Sequence, residues 1–419
     1  MSALPADTNL ADPELIPSQN GSPFALFAKW REEDPVHWNP PNPEYGTHLP
    51  GASLSQGFWV LTRYEDVFEV SRGQTRFTSH DGSPVIWDFE PPQLAMQQAG
   101  FMGMKPEQHA QVKRLVMPPF APRELAAMAP EVDEVAKEIV DGIASKGSAE
   151  FVFDVASKLP VYTFCKLVGI KDEMRDHVAV LGNKIADIEG RSIDDKDDNS
   201  AMFQLFAIAQ QLAEEKRQNP DKYMMSRLVN GSVDGARLDE MQINMFFIVL
   251  AIAGHETTRN TAGHFIRLMG EHPDQFELLM SDLDRYLPGA IDEVLRYSPP
   301  VVKFRRTVTE DTEIGGQPVK KGDKIYLSYP AANRDPSVFE DPDRFDITRG
   351  NASKHLAFGT GPHVCIGARL ATMQLRALLT EIYTRIPDIR IDGEMEWLRS
   401  IWFSGVMKMP VSFTPEKSA

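Results

Sequence analysis

The longest apolar pattern in the chain runs from Leu238 to Leu268, and its densest part, Phe246-Phe247-Ile248-Val249-Leu250-Ala251-Ile252-Ala253, leaves no polar face. A helix that is apolar nearly all round belongs inside a protein, so this stretch predicts a long buried helix. Amphipathic spacing predicts further helices over Phe24–Glu33, stopped by Asp34-Pro35, and over Tyr64–Ser71, Glu107–Val116, Pro130–Ser145 and Leu159–Val168. Two more are expected between Asp172 and Gln218, around an acidic loop from Asp187 to Ser200, and another starts near Ala368 with Leu370, Leu375, Leu378 and Leu379. Strand patterns are scarcer. Phe58-Trp59-Val60-Leu61-Thr62 reads as a strand, and Pro299 to Thr307 as an extended segment entering one. Thr78 to Met104, rich in glycine, proline, methionine and aromatic residues, reads as a loop. No repeat or compositional break divides the chain, which predicts one domain over residues 1–419, with 1–22 as a flexible segment.

Composition narrows the functional classes. With 42% hydrophobic and 25% charged residues, 419 residues can build an ample core. The formal net charge of −16 argues against nucleic acid or an anionic membrane as partner. The first 21 residues contain no apolar run long enough for a signal or a membrane span, so a cytoplasmic protein with no membrane contact is expected. Two cysteines, Cys165 and Cys365, make no disulfide framework, and no zinc-type ligand spacing is present.

One cysteine stands in chemically pointed surroundings. Phe358-Gly359-Thr360-Gly361-Pro362-His363-Val364-Cys365-Ile366-Gly367 is a glycine-rich loop that leads into the helix at Ala368. Glycines permit tight turns and close approach to a flat ligand, and free N–H groups at a helix start favour a thiolate, so a lowered thiol pKa is expected for Cys365. In the buried helix, Glu256 is a charge that needs a reason, met if it faces a wet pocket. Ala253 and Thr257, four apart, share a face, and Gly254 leaves room beside it. Glu293 and Arg296, three apart on one helix, signify little alone.

Together these stretches resemble the cytochrome P-450 family. The cysteine loop matches that family's Phe-Gly-x-Gly-x-His-x-Cys-x-Gly pattern at every fixed position, and Ala253-Gly254-His255-Glu256-Thr257-Thr258 is similar to its acid–alcohol motif. The resemblance implies a mainly α fold, with a large helical region and a smaller β-rich one, and a haem b cofactor whose iron is bound by Cys365. It places Phe358, Gly359, Gly367, Ala253 and Gly254 against the haem. His363, His109 and Arg306 become propionate ligands, with Lys113 where the family has an arginine. It makes Thr257 the alcohol that supports oxygen activation and Glu256 the relay of protons from solvent. Glu293, Arg296 and Arg344 (in Asp341-Pro342-Asp343-Arg344-Phe345) become a structural triad. Val249, Ala253, Val301, Val302, Trp402 and Phe403 become pocket residues, Thr78 to Met104 a substrate-covering loop, and the acidic loop a lid over the active site.

The implied activity is insertion of one atom of O2 into a C–H bond of an apolar small molecule: a terpenoid, steroid, aromatic hydrocarbon or fatty acyl chain. No flavin or nicotinamide fingerprint is visible, which implies a ferredoxin and an NAD(P)H-dependent ferredoxin reductase as electron source. An H2O2-driven peroxygenase and a haem-binding carrier or sensor are the alternatives. The intact Glu256-Thr257 pair counts against both. The resemblance is to soluble bacterial members, with terpene and steroid hydroxylases nearest in character.

Overall fold

The helix expected at the centre is there, as Glu240–Glu271. Its first turn is closed reciprocally: the Asp239 carboxylate accepts the Gln242 N–H at 2.8 Å, and Gln242 Oε1 accepts the Asp239 N–H at 3.1 Å. The N-terminal half buries Phe246, Phe247 and Ala251 among Val112, Phe164 and Leu205. The C-terminal half buries Phe265, Leu268 and Met269 among Val140, Ile291 and Leu379. One helix therefore belongs to both large apolar clusters, which explains why its sequence has no polar side. The computed structural model describes residues 4, 8–12, 14–15, 22–43, 51–186, 200–233 and 235–416.

Helices Phe24–Glu33, Tyr64–Arg72, Pro106–Val116 and Lys158–Val168 fall within a residue of expectation. Others differ. The helix expected from Pro130 begins at Pro122 and runs to Ala144, because Pro122 occupies a first-turn position that needs no N–H bond. Inside the expected loop from Thr78 to Met104, Pro91–Ala99 is helical for the same reason, and Asp88–Phe89 pairs with Ala52–Ser53. Leu10, Ala11 and Leu15 pack against Trp30, Phe58 and Ile401, and the Leu10 N–H donates to Asn39 Oδ1 at 2.9 Å. The acidic loop lies outside the described residues, apart from Ser200, which begins the Ser200–Gln218 helix.

The β region centres on five strands in the order Val36–Asn39, Phe58–Leu61, Lys324–Ser328, Lys303–Val308 and Phe77–Thr78. Alternation buries both of its faces: Phe58, Val60 and Tyr326 go one way, Leu61, Ile325 and Leu327 the other.

Glu293 and Arg296, in helix Leu283–Tyr297, are both fully buried and joined by Arg296 Nε and Nη2 at 2.7 and 2.8 Å. The expected third member is corrected. The Arg344 side chain is 65% exposed, where it meets only Asp346 at 3.7 Å. The guanidinium that reaches Glu293 is that of Arg349, with Nε 3.3 Å from Oε1. Arg344 takes part through its backbone: its carbonyl accepts from Arg296 Nη2 at 3.2 Å and Arg349 Nη2 at 3.0 Å.

Candidate active site

The cysteine loop is shaped by glycine. Gly359 and Gly361 have φ of +65° and +70°, and a Cβ at Gly361 would stand 2.9 Å from Ser71 O. The Cys365 N–H donates back to Phe358 O at 2.9 Å, and helix Ala368–Arg385 follows. The thiol accepts the N–H groups of Gly367 and Ala368. Burial nevertheless pushes its pKa above the ordinary thiol value, opposed by those N–H groups and by Lys113. The expected lowering is therefore not met by the polypeptide alone. A metal ion binding the sulfur removes the proton outright.

Cys365 opens into a cavity lined by the central helix, the Ala368–Arg385 helix and the start of strand Lys303–Val308. The expected propionate ligands His109, Lys113, Arg306 and His363 all line it. The His109 and His363 rings lie 4.2 Å apart, and His363 Nδ1 is buried with no hydrogen-bond partner. Burial, Lys113 and Arg306 push His109 down to about 4; burial, Arg306, His109 and Lys113 push His363 well below its usual value. Lys113 Nζ reaches the Pro362 carbonyl at 2.7 Å and lies on the cysteine loop. Among the described lining residues there is no Asp or Glu. Buried cations and donors gathered without a counter-charge fit an anionic ligand, and a nearby sulfur fits a metal: together they fit a haem with its two propionates.

The central helix presents Ala253, Gly254 and Thr257 to the same cavity, as its spacing predicted. Thr257 Oγ1 donates to Ala253 O at 2.7 Å, which leaves the hydroxyl oxygen as an acceptor towards the cavity. Glu256 departs from expectation. It does not line the cavity, is fully buried, and is ion-paired with the equally buried Arg259. His255 Nδ1 lies 3.4 Å from its carboxylate, and burial together with Arg259 pushes His255 down to about 3, so the ring is neutral. Consecutive helical residues point in different directions, which turns Glu256 away from the Thr257 face.

Of the expected pocket residues, Val249, Ala253 and Val301 line the cavity, whereas Val302, Trp402 and Phe403 do not. The C-terminal turn backs the pocket strand instead. The Val302 N–H donates to Trp402 O at 2.9 Å, Phe403 forms a β-bridge with Val301, and the Trp402 ring packs edge-on against Phe304 at 5.8 Å. Phe304 itself lines the cavity, as do Phe246 and Leu250, none of them expected there, and Phe101, from the stretch expected to cover the substrate. The alternation of strand Lys303–Val308 could have found Phe304, two residues before Arg306 on the same face. The same alternation turns Lys303 and Arg305 away. Arg305 Nη1 donates to Trp87 O at 2.9 Å, and Lys303 Nζ to Ile401 O.

Comparison with known proteins agrees with this geometry. The cytochrome P-450 family model matches residues 194–385. The chain is 33% identical to a steroid C26-monooxygenase of Rhodococcus jostii, over 98% of this chain and 85% of that one. It is 31% identical to a linalool 8-monooxygenase of Pseudomonas putida, over 97% and 99%. A cytochrome P-450 of Mycobacterium marinum, solved in complex with pseudoionone, superposes with a TM-score of 0.88 at 32% identity and covers 99% of this chain and 100% of its own. With a cysteine sulfur, a basic cradle and apolar walls in one cavity, the chain belongs to the cytochrome P-450 family and is a monooxygenase of the bacterial type.

Proposed function

We propose that this monooxygenase hydroxylates an isoprenoid-like apolar molecule, a terpenoid or a steroid side chain, using haem b and single electrons from a ferredoxin and its NAD(P)H-dependent reductase. The observation that carries the reading is the lining of one cavity, which combines Cys365 and four basic residues with the apolar side chains of Phe101, Phe246, Val249, Leu250, Val301 and Phe304. Apolar walls select by shape and area rather than by hydrogen bonds. The relatives named for steroids and linalool, and the neighbour that holds pseudoionone, support the isoprenoid class.

Haem bound there supplies the oxygen chemistry: two electrons reduce O2, one oxygen atom enters a substrate C–H bond and the other leaves as water. The protein's own groups arrange the rest. Gly367 and Ala368 N–H groups steady the Cys365 sulfur, which also sits within the field of Lys113. Arg306, His363 and His109 would hold the propionates, and Lys113 ties the helix that carries His109 to the cysteine loop. Thr257 would offer its hydroxyl to the cavity that holds the haem, and Glu256 would be the nearby acid that carries protons from outside.

The test is the carbon monoxide difference spectrum of the dithionite-reduced protein, followed by titration with terpenoids and steroids. A strongly red-shifted Soret band and a substrate-induced spin-state shift are expected. Haem bound without the red shift would mean that Cys365 is not the ligand. No spin shift with either class would sink the substrate assignment.

A further inference from the structure

Tyr329 brings into the cavity wall a hydroxyl that the protein itself does not use. The residue is buried and lines the cavity. Its backbone is fixed at both ends: its N–H donates to Val302 O at 3.1 Å, and its carbonyl accepts the Asn333 N–H at 2.9 Å. Its ring meets Phe304 edge-on, with centroids 6.2 Å apart. The hydroxyl oxygen lies beside the cysteine loop, where a Cβ at Gly359 would stand 3.6 Å from it and 3.7 Å from His363 O. Arg306 is near enough to act electrostatically on this phenol, as it does on His363 and His109. Among the described residues the Tyr329 hydroxyl has no hydrogen-bond partner. Burial raises its pKa to about 12 against the pull of Arg306, so at neutral pH it keeps its proton and is a donor.

A buried tyrosine normally finds a partner for its O–H, so a donor without one in the protein points to a ligand. The neighbouring groups say which kind. Arg306 Nη1 donates to the Arg305 carbonyl at 2.9 Å, and its guanidinium makes no ion pair among the described residues. Lys113 gives its ammonium to the carbonyls of Pro362 and Val364, at 2.7 and 3.4 Å, so much of its donor capacity goes to the cysteine loop. The acceptor that Tyr329 and Arg306 both lack is an anion, and a carboxylate can take both donors at once.

We infer that Tyr329 is a further propionate-binding residue, donating its hydroxyl hydrogen to a haem carboxylate that Arg306 also holds. This rests on the reading of the cavity as a haem site. A neutral donor adds to the hold on the carboxylate without crowding another cation against Arg306, His363 and Lys113. Through its bond to Val302 and its contact with Phe304, the same residue ties the cofactor to the wall strand that also faces the substrate.

The experiment compares the holoprotein with its Tyr329→Phe variant, each loaded with haem b and separately with haem b dimethyl ester, in which both carboxylates are capped. Transfer of the haem to an excess of apomyoglobin gives the release rate, and the carbon monoxide difference spectrum checks the iron ligand. Haem b should leave Tyr329→Phe at least about tenfold faster than wild type, because a hydrogen bond to a charged group is lost. The dimethyl ester should leave the two proteins at closely similar rates, and the red-shifted band should be unchanged in both. Equal release of haem b would overturn the inference. So would an equal gap with the ester, which would make Tyr329 a packing residue and no more. A wild-type protein without the red-shifted band would remove the haem-thiolate reading, and the inference with it.

Discussion

Replacing Arg349 by alanine should cost far more than replacing Arg344, although Arg344 is the one in the family-like Asp341-Pro342-Asp343-Arg344-Phe345 turn. Arg349 lies against the fully buried Glu293 at 3.3 Å, and its Nη1 and Nη2 groups donate to the carbonyls of Glu340, Asp341 and Arg344. Its loss would leave Glu293 with Arg296 and the Asp346 N–H, and remove a donor from three carbonyls of the turn, of which Asp341 O and Arg344 O keep another. Removing one partner of a buried charge network costs about 3–5 kcal/mol, and the remaining Arg296 pairing pulls the figure here towards about 3 kcal/mol. Arg344→Ala removes one exposed ion pair at 3.7 Å, worth about 0–1 kcal/mol, and keeps the carbonyl that Arg296 and Arg349 use. Denaturant unfolding of the two holo variants, followed by the Soret band and far-ultraviolet circular dichroism, gives the comparison. Against a total of about 5–15 kcal/mol, Arg349→Ala should be visibly crippled and Arg344→Ala close to wild type. Equal losses, or a larger loss for Arg344→Ala, would refute the assignment of Arg349 as third partner.

Acid should destabilise the fold through its buried neutral histidines. Burial and Arg267 hold His264 at about 3 in spite of its Ser404 carbonyl contact, and burial with Arg296 holds His355 at about 4. The unfolded chain takes up these protons below about pH 6.5 while the folded one does not, so stability is full above that pH and falls as pH drops towards 4. Unfolding free energy measured against pH should lose about 1.4 kcal/mol per pH unit of that slope in His264→Gln; an unchanged slope would contradict it. At Gly254 a Cβ meets nothing within 4 Å, so Gly254→Ala should keep the red-shifted carbon monoxide spectrum and gain about 0.5–1 kcal/mol of helix stability. Loss of haem would show instead that the space is filled when haem binds. Thr257→Ala should keep NAD(P)H consumption and divert it to H2O2; an unchanged product yield would remove the threonine from oxygen activation.

Much of the site was legible because its chemistry sits in short, continuous stretches. Cys365, His363, Thr257 and Ala253 were found from local pattern, and all four line the cavity. The central helix was legible because it is buried on all sides, and that pattern has no competing explanation. Helices starting at Pro91 and Pro122 were misread because proline looked like a breaker, when at a first-turn position it is neutral. Which of Arg344 and Arg349 turns inward depends on the path of the backbone between them, with Asp341 at φ +44° at its start, and nothing in five residues of sequence sets that path.

The misplacement of Glu256 has a different origin, and it bears on how the enzyme works. Helical geometry alone places Glu256 about 100° around from Thr257, so the two cannot share the Ala253 face. Reading acid and alcohol as one unit took adjacency in sequence for adjacency in the cavity. The structure separates them: the alcohol faces the chamber and the acid faces the C-terminal turn, in a pocket made by Arg259, His255 and the elements that hold them. Arg259 in turn reaches Met407 Sδ, and Gly405 of the same turn lies close against Asn260, so the C-terminal turn packs on the acid-bearing side of the central helix. Its other contacts are to the wall, where Ser404 N–H donates to Pro300 O and Trp402 O accepts the Val302 N–H. The turn expected to supply pocket surface therefore backs the wall strand, because its backbone is already taken up by that strand and its far side by the central helix.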